Sequence, residues 1–313
     1  MAEVTTGLKA HSGIFQTSSI QRGIFKRVVK PMISRRNFLG SAIAASLCSR
    51  TVFAEKARLR IGVTDWNLHL GAKTEAVPLA AKLGFDGVQI SFGRQLVDGK
   101  LPTDSPEIIS RYLDLAKQSQ IPIDGTCVDR LHDNGLKSDP LGPKWVADAI
   151  RLTRALRVKV LLLPFFGRWA LQTREEMDYV GDALQELARE AAKADVILGL
   201  EDTISAEDNV RIMERSKSGN VLVYYDVGNS SKAGFDPVKE IRWLGKDRIC
   251  QFHLKDNPHF LGEGSIQFPP IIRAIHDIAF TGFANLETDS PSNDLNNDLE
   301  RNLYYIRNLV AKA

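Results

Sequence analysis

From Leu59 onward the chain alternates short apolar runs with amphipathic stretches. The runs at 59–66, 87–92, 121–127, 158–166, 196–202, 221–230, 249–256 and 282–289 predict strands. Between them, stretches at 75–84, 105–119, 145–156, 174–193, 207–215, 236–245, 268–280 and 294–310 predict helices, with apolar residues three and four apart. Ser105-Pro106-Glu107 suits an N-cap followed by Pro at the first helical position. The run VKVLLLPFF at 158–166 is apolar almost without a break, as a parallel strand covered on both faces requires. Eight strand–helix units over about 255 residues predict one (β/α)₈ TIM barrel spanning 55–313. A doubly wound open sheet is the alternative, but the first strand runs into Thr64-Asp65-Trp66 with no Gly-rich dinucleotide turn.

Charge changes the picture at the N-terminus. The 313 residues carry a formal charge of +3, yet eight of the 41 Lys and Arg fall in residues 1–54 beside a single acid, Glu3. The barrel segment is therefore net acidic, which argues against a nucleic-acid partner. Ser34-Arg35-Arg36-Asn37-Phe38-Leu39-Gly40, followed by a weakly apolar run, resembles a bacterial twin-arginine export signal. The expectation is an N-terminal extension and signal peptide over 1–54, cleavage after Ala54, and a periplasmic product. The apolar run is too short and polar for stable membrane insertion. Leu47 before Cys48 is bulky for a lipoprotein site, and Cys127 and Cys250 sit in apolar runs as buried thiols rather than a disulfide framework.

Four predicted strands each end in a ligand-type residue: Glu201, Asp226, His253 and Glu287. Barrel active sites gather at the C-terminal ends of strands, so these four side chains converge. Three carboxylates and an imidazole make a hard, mostly oxygen donor set. One divalent cation is implied, Mn²⁺ first, with Mg²⁺, Zn²⁺, Co²⁺ and Fe²⁺ open as alternatives. Without a cation the carboxylates repel and at least one pKa rises.

The motifs Gly199-Leu200-Glu201, Tyr225-Asp226-Val227-Gly228-Asn229, His253-Leu254-Lys255-Asp256, Gly262-Glu263-Gly264-Ser265-Ile266 and Leu286-Glu287 resemble the xylose isomerase-like barrel superfamily, in its sugar (phosphate) isomerase and epimerase branch. The resemblance covers about Leu59 to the C-terminus. It implies that Glu201 and Glu287 touch the metal and also act as acid and base on a ketose or keto-sugar, through a cis-enediolate. It offers Glu207, six residues after Glu201, as a substrate contact, against the plainer reading of an acid in a helix first turn. Asn229 stands where many relatives have a histidine; this disfavours the multi-metal DNA-repair endonucleases and fits the epimerases. His259 is a further candidate contact, or a loop histidine.

Lys255 and Asp256 either bind substrate oxygens or hold the strand-seven loop. Trp66, Phe165, Phe166 and Trp169 are candidate aromatic walls for a carbohydrate, with core packing the alternative. Arg94 and Arg168 are loop-side arginines, read as solvated. Export favours free sugars, keto-glycosides or cyclitols over sugar phosphates. The expected partner is thus a small-molecule carbohydrate, and relatives of this kind form homo-oligomers. A lyase or hydrolase-like enzyme on 3-keto-glycosides or inososes with the same metal site is the runner-up, followed by a non-enzymatic carbohydrate-binding barrel.

Overall fold

The computed structural model describes residues 59–313; the export signal and its cleavage site lie outside the described residues. Eight parallel strands close into a barrel in chain order, with β1 (Arg60–Thr64) pairing β8 (Phe283–Leu286). The intervening strands are β2 (Gly87–Ser91), β3 (Ile123–Cys127), β4 (Val160–Pro164), β5 (Ile197–Glu201), β6 (Val221–Asp226) and β7 (Ile249–Leu254). The helices are α1 (Ala76–Lys82), α2 (Pro106–Ser119), α3 (Gly142–Ala155), α4 (Arg174–Lys193), α5 (Ala206–Ser216), α6 (Val227–Lys232), α7 (Pro237–Leu244), α8 (Phe268–Asp277) and α9 (Leu295–Val310). No described helix is long and apolar enough to cross a membrane.

Local chemistry sets the boundaries. Ser105 Oγ accepts from the Ile108 amide and Pro106 opens α2. Thr173 and Glu176 form a reciprocal capping box at α4. The principal departure from the sequence reading follows β6. The strand stops at Asp226, and 227–232 is the short helix α6 rather than more strand. Asp226 itself causes the change: its Oδ1 accepts from the amides of Gly228 (2.7 Å) and Asn229 (2.9 Å), an N-cap in one residue.

The main apolar core lies between the sheet and the surrounding helices, and β4 is buried along its whole length. A smaller cluster of Cys127, Val160, Leu162 and Tyr224 is a second buried set. In a strand, residues two apart share a face. The residues two positions before the strand-end ligands are Gly199, Tyr224, Gln251 and Asn285, so they lie on the same strand faces one tier deeper. Gly199 leaves room there, because a Cβ would come within 3.1 Å of the Tyr224 Cβ and 2.8 Å of the Cys250 Sγ.

Candidate active site and metal centre

The ends of β5 to β8 bring Glu201, Asp226, His253 and Glu287 together, each offering one ligand atom, all within 4.8 Å of one another. Register does the work: Asp226 sits opposite His253, and His253 opposite Asn285, which shares its strand face with Glu287. His253 Nδ1 faces the cluster, 2.9 Å from Glu201 Oε1, 3.6 Å from Glu287 Oε2 and 3.8 Å from Asp226 Oδ2. Its Nε2 points the other way, 2.7 Å from Gln89 Oε1. Because Oδ1 of Asp226 caps α6, Oδ2 is left for the cluster. Lys255 Nζ lies between two carboxylates, 2.7 Å from Asp226 Oδ2 and 2.6 Å from Glu287 Oε2. Gly228 makes that path open, since a Cβ there would press on Lys255 Cγ at 2.5 Å. Trp66 Nε1 donates to Glu287 Oε1 at 3.0 Å and fixes the rotamer of that carboxylate.

The electrostatics follow from burial and like charge. Burial, with the Glu287 charge adding to it, pushes Glu201 up to about 8. Burial pushes Asp226 up to about 7, with Lys255 opposing. Burial acts on Glu287 in the same sense, but His253, Lys255 and the Trp66 hydrogen bond outweigh it and hold the carboxyl at about 2. The His253 imidazole is pushed down by burial, with Glu287 and Asp226 opposing. Burial works against the Lys255 ammonium, yet Asp226, Glu287 and Glu201 raise it above the ordinary lysine value. The buried Glu201 and Asp226 and the half-buried Glu287 thus stand around one ammonium, which pairs directly with Asp226 and Glu287. A divalent cation fits this donor set: it supplies the missing positive charge, and an inward imidazole nitrogen stands ready to complete the shell.

Above the cluster opens a cavity of about 920 Å³. Its floor comes from the second half of the barrel, through Glu201, Asn229, Lys255 and Glu287. Its walls come from the first half: Trp66 and Lys73 after β1, Arg94 and Leu96 after β2, Asp129 and His132 after β3, and Phe166 after β4. Asp65 pins the first of these loops, accepting from the amides of Ala72 and Ser91 at 2.9 Å each.

The sequence candidates divide accordingly. Glu201, Asp226, His253, Glu287, Lys255, Asn229 and Trp66 come together. Glu207 stands exposed in the first turn of α5, away from the cavity lining. His259 is also exposed and lines no part of the cavity. Phe165 is core, 1% exposed, because the chain leaves β4 with the neighbouring Phe166 turned to the cavity instead. Trp169 packs over Gly135, outside the lining. Asp256 is the loop-holder of the pair Lys255-Asp256: its carboxylate accepts from the amides of Gly262, Gly264, Ser265 and Ile266 at 2.9–3.3 Å. Asp256→Ala should therefore cost about 1.5–3 kcal/mol or more in denaturant unfolding, the worth of hydrogen bonds to a charged group. Arg94 is tied to Asp133 at 2.6 Å, and Arg168 donates to the Asp133 carbonyl.

Sequence reasoning passed over Gln89, Asp129 and His132, whereas Phe166, one of its candidate aromatic walls, does line the cavity. Asp129 is pushed up to about 6 by burial, and His132 stacks on Phe166 with ring centroids 6.2 Å apart. These residues lie in or just beyond the first four strands, which end in no aligned ligand set; only the position after a strand marks them.

Comparison with known proteins agrees with this architecture. A family profile described as xylose isomerase-like TIM barrel matches residues 77–309. The chain is 28% identical over 208 residues to 2-epi-5-epi-valiolone 7-phosphate 2-epimerase of Actinoplanes sp., covering 64% of this chain and 73% of the relative. It is 29% identical over 156 residues to a putative L-ribulose-5-phosphate 3-epimerase of Escherichia coli, covering 44% and 54%. In fold it superposes on an L-ribulose 3-epimerase with a TM-score of 0.67 at 18% identity, covering 81% of this chain and 95% of the other. A 3-keto-D-glucoside 4-epimerase from Escherichia coli gives 0.66 at 17% identity, covering 80% and 100%. With most of its barrel matched by the profile, the chain belongs to the xylose isomerase-like TIM barrel family.

Proposed function

We propose that the protein is a divalent-metal-dependent epimerase or isomerase of a ketose or keto-sugar. The observation that carries this reading is the convergence of Glu201, Asp226, His253 and Glu287, of which Glu201 and Glu287 line a sugar-sized cavity. The same four residues would hold the cation, with Mn²⁺ favoured by the oxygen-rich set. When bound, the cation would polarise the substrate carbonyl and stabilise negative charge on its oxygen.

The chain's own residues do the rest. Glu201 and Glu287 reach the floor from β5 and β8, with β6 and β7 between them, and move the proton next to the carbonyl: one glutamate removes it and the other returns one. Trp66 holds Glu287 in place, and Lys255 sets the charge beside it. Return to the same carbon from the opposite side gives epimerisation; return to the neighbouring carbon gives isomerisation. Trp66 and Phe166 offer apolar faces to the carbon skeleton, and Asp129, His132 and Asn229 offer polar groups to hydroxyls.

We further propose an unphosphorylated substrate and export through the twin-arginine route. The Arg94 guanidinium at the cavity rim is already engaged by Asp133, and the wall carries the Asp129 carboxylate. The test is deuterium exchange from solvent into free ketoses, keto-glycosides, inososes and sugar phosphates with Mn²⁺ present. Exchange into the unphosphorylated carbonyl sugars supports the proposal. Exchange confined to phosphate esters removes the substrate reading, and exchange into none removes the enzymatic one. For the leader, a reporter fused to residues 1–58 is expected in the periplasm and should stay in the cytoplasm when Arg35 and Arg36 are both replaced by Lys.

A further inference from the structure

A second, much smaller cavity of about 20 Å³ lies between the ends of β5 and β6 and the helices α5, α6 and α7. That volume takes about one water-sized particle. Asp202, Asn209, Tyr225, Ser230 and Glu240 border it, together with Asp226, which also belongs to the candidate metal centre.

The donors around this cavity are already engaged. Asn209 Nδ2 donates to Asp202 Oδ1 at 3.0 Å and to the Ser205 carbonyl at 3.4 Å. The Ile204 amide donates to the same Asp202 oxygen at 3.1 Å. The Ala206 amide donates to Glu240 Oε1 at 2.8 Å, and the hydroxyls of Tyr225 and Ser230 lie 2.7 and 2.9 Å from Glu240 Oε2. Two acceptors are left over: Asp202 Oδ2 and Asn209 Oδ1 are buried and have no hydrogen-bond partner. Asn209 is only 4% exposed. Its two acceptor neighbours fix which end of the amide is nitrogen, so the free atom is the oxygen.

The balance of charge points the same way. Glu240 and Asp208 act on Asp202 with like charge. Among the described residues no Lys or Arg forms an ion pair with any of the three; the nearby Arg211 is tied to Asp178 and Lys239 to Asp236. A buried carboxylate oxygen with neither donor nor counter-charge is costly. The cavity therefore lacks one positive charge, in the space of one particle.

We propose that this cavity binds a monovalent cation of the size of potassium or sodium, held by Asp202 Oδ2 and Asn209 Oδ1, with Glu240 adding negative charge beside it. Divalent ions take six or more oxygens or keep several waters, and there is no room here for those waters. The ion ties the segment that follows Glu201 to α5 and stands apart from the four proposed metal ligands, with Asp226 the one residue that borders both places.

This inference is independent of the proposed reaction, and its readout is folding. Urea unfolding of the full chain, with EDTA present to remove divalent ions, is compared in KCl, NaCl and N-methylglucamine chloride at equal ionic strength. With the favoured alkali ion at about ten times its dissociation constant, the unfolding equilibrium constant should be ~10-fold lower than in the N-methylglucamine salt. Asp202→Asn should lose that response. Its new amide can donate to Asn209 Oδ1 in place of the ion, so in the N-methylglucamine salt the variant should be at least as stable as wild type. Glu287→Gln removes a carboxylate of the candidate metal centre and should keep the response, which separates this cavity from an alkali ion resting in that centre. Crystals grown in rubidium chloride should show anomalous density between Asp202 and Asn209. Equal stability of wild type in all three salts, an undiminished response in Asp202→Asn, loss of the response in Glu287→Gln, or a water without anomalous signal at this position overturns the inference. Should Asp202→Asn fail to fold, the rubidium crystals of wild type decide alone.

Discussion

Glu287→Gln is expected to lower turnover by ~10²–10⁴-fold, the usual worth of a positioned general acid or base. The substitution keeps the shape of the side chain and its contact with Trp66 Nε1, which is 3.0 Å from Oε1. Thermal unfolding of the metal-free variant should therefore remain cooperative, and the loss should appear as missing solvent exchange at the substrate carbon. Glu201→Gln should behave alike, because its carboxylate reaches the same floor. Glu207→Gln is the informative contrast. Family spacing offers Glu207 as a substrate contact, but the side chain stands exposed on α5, so its turnover and KM should stay close to wild type. A Glu207 variant as damaged as Glu287→Gln would mean that the α5 turn reaches the substrate. An active Glu287→Gln would remove the two-carboxylate mechanism.

Lys255→Met should weaken the metal-free protein by ~3–5 kcal/mol, the cost of breaking a buried ion pair from one side. Only 19% of the lysine side chain is exposed, and among the described residues Asp226, at 1%, has no other cation within ion-pair distance except the His253 ring. Removing the ammonium leaves carboxylates that repel one another. Urea unfolding of the metal-free protein reads the loss directly. Saturating Mn²⁺ should then recover more stability in the variant than in wild type, because it replaces the lost charge and binds only the folded state. Equal stabilisation of both proteins by Mn²⁺ would show that lysine and cation do not share the carboxylates.

The barrel was legible because its strands are covered on both faces and read as unbroken apolar runs, whereas its helices show an apolar stripe. The four candidate ligands were legible for a related reason: a carboxylate or imidazole closing an apolar strand has only the barrel mouth to point into. Past the strand ends that logic fades. Asp226 turned the backbone into α6 within two residues, so the predicted extension of β6 was lost to a cap. Phe165 and Phe166 are equal as sequence, and only the way the chain leaves β4 decides which meets the cavity. Fixed spacing leaves Glu207 and His259 at exposed positions outside the cavity lining, since six residues carry the chain beyond the mouth. Gln89, Tyr224 and Asn285 could have been flagged as polar residues inside apolar strands, because a buried polar group needs a partner. Their partners lie up to 164 positions away in the chain, and no local pattern names them.

The cavity draws its floor from β5 to β8 and its walls from the loops after β1 to β4. The proposed reaction centre is thus encoded mainly in the second half of the gene and most of the wall in the first, with Trp66 and Asn229 crossing that divide. Under the proposed function, a lineage that keeps Trp66 can rewrite the other wall loops, changing which molecule is admitted, while the second half goes on supplying the same proton transfer. For the engineer, a library confined to residues 67–73, 94–102, 129–136 and 166–171 explores new substrates without touching a proposed metal ligand or the tryptophan that holds Glu287.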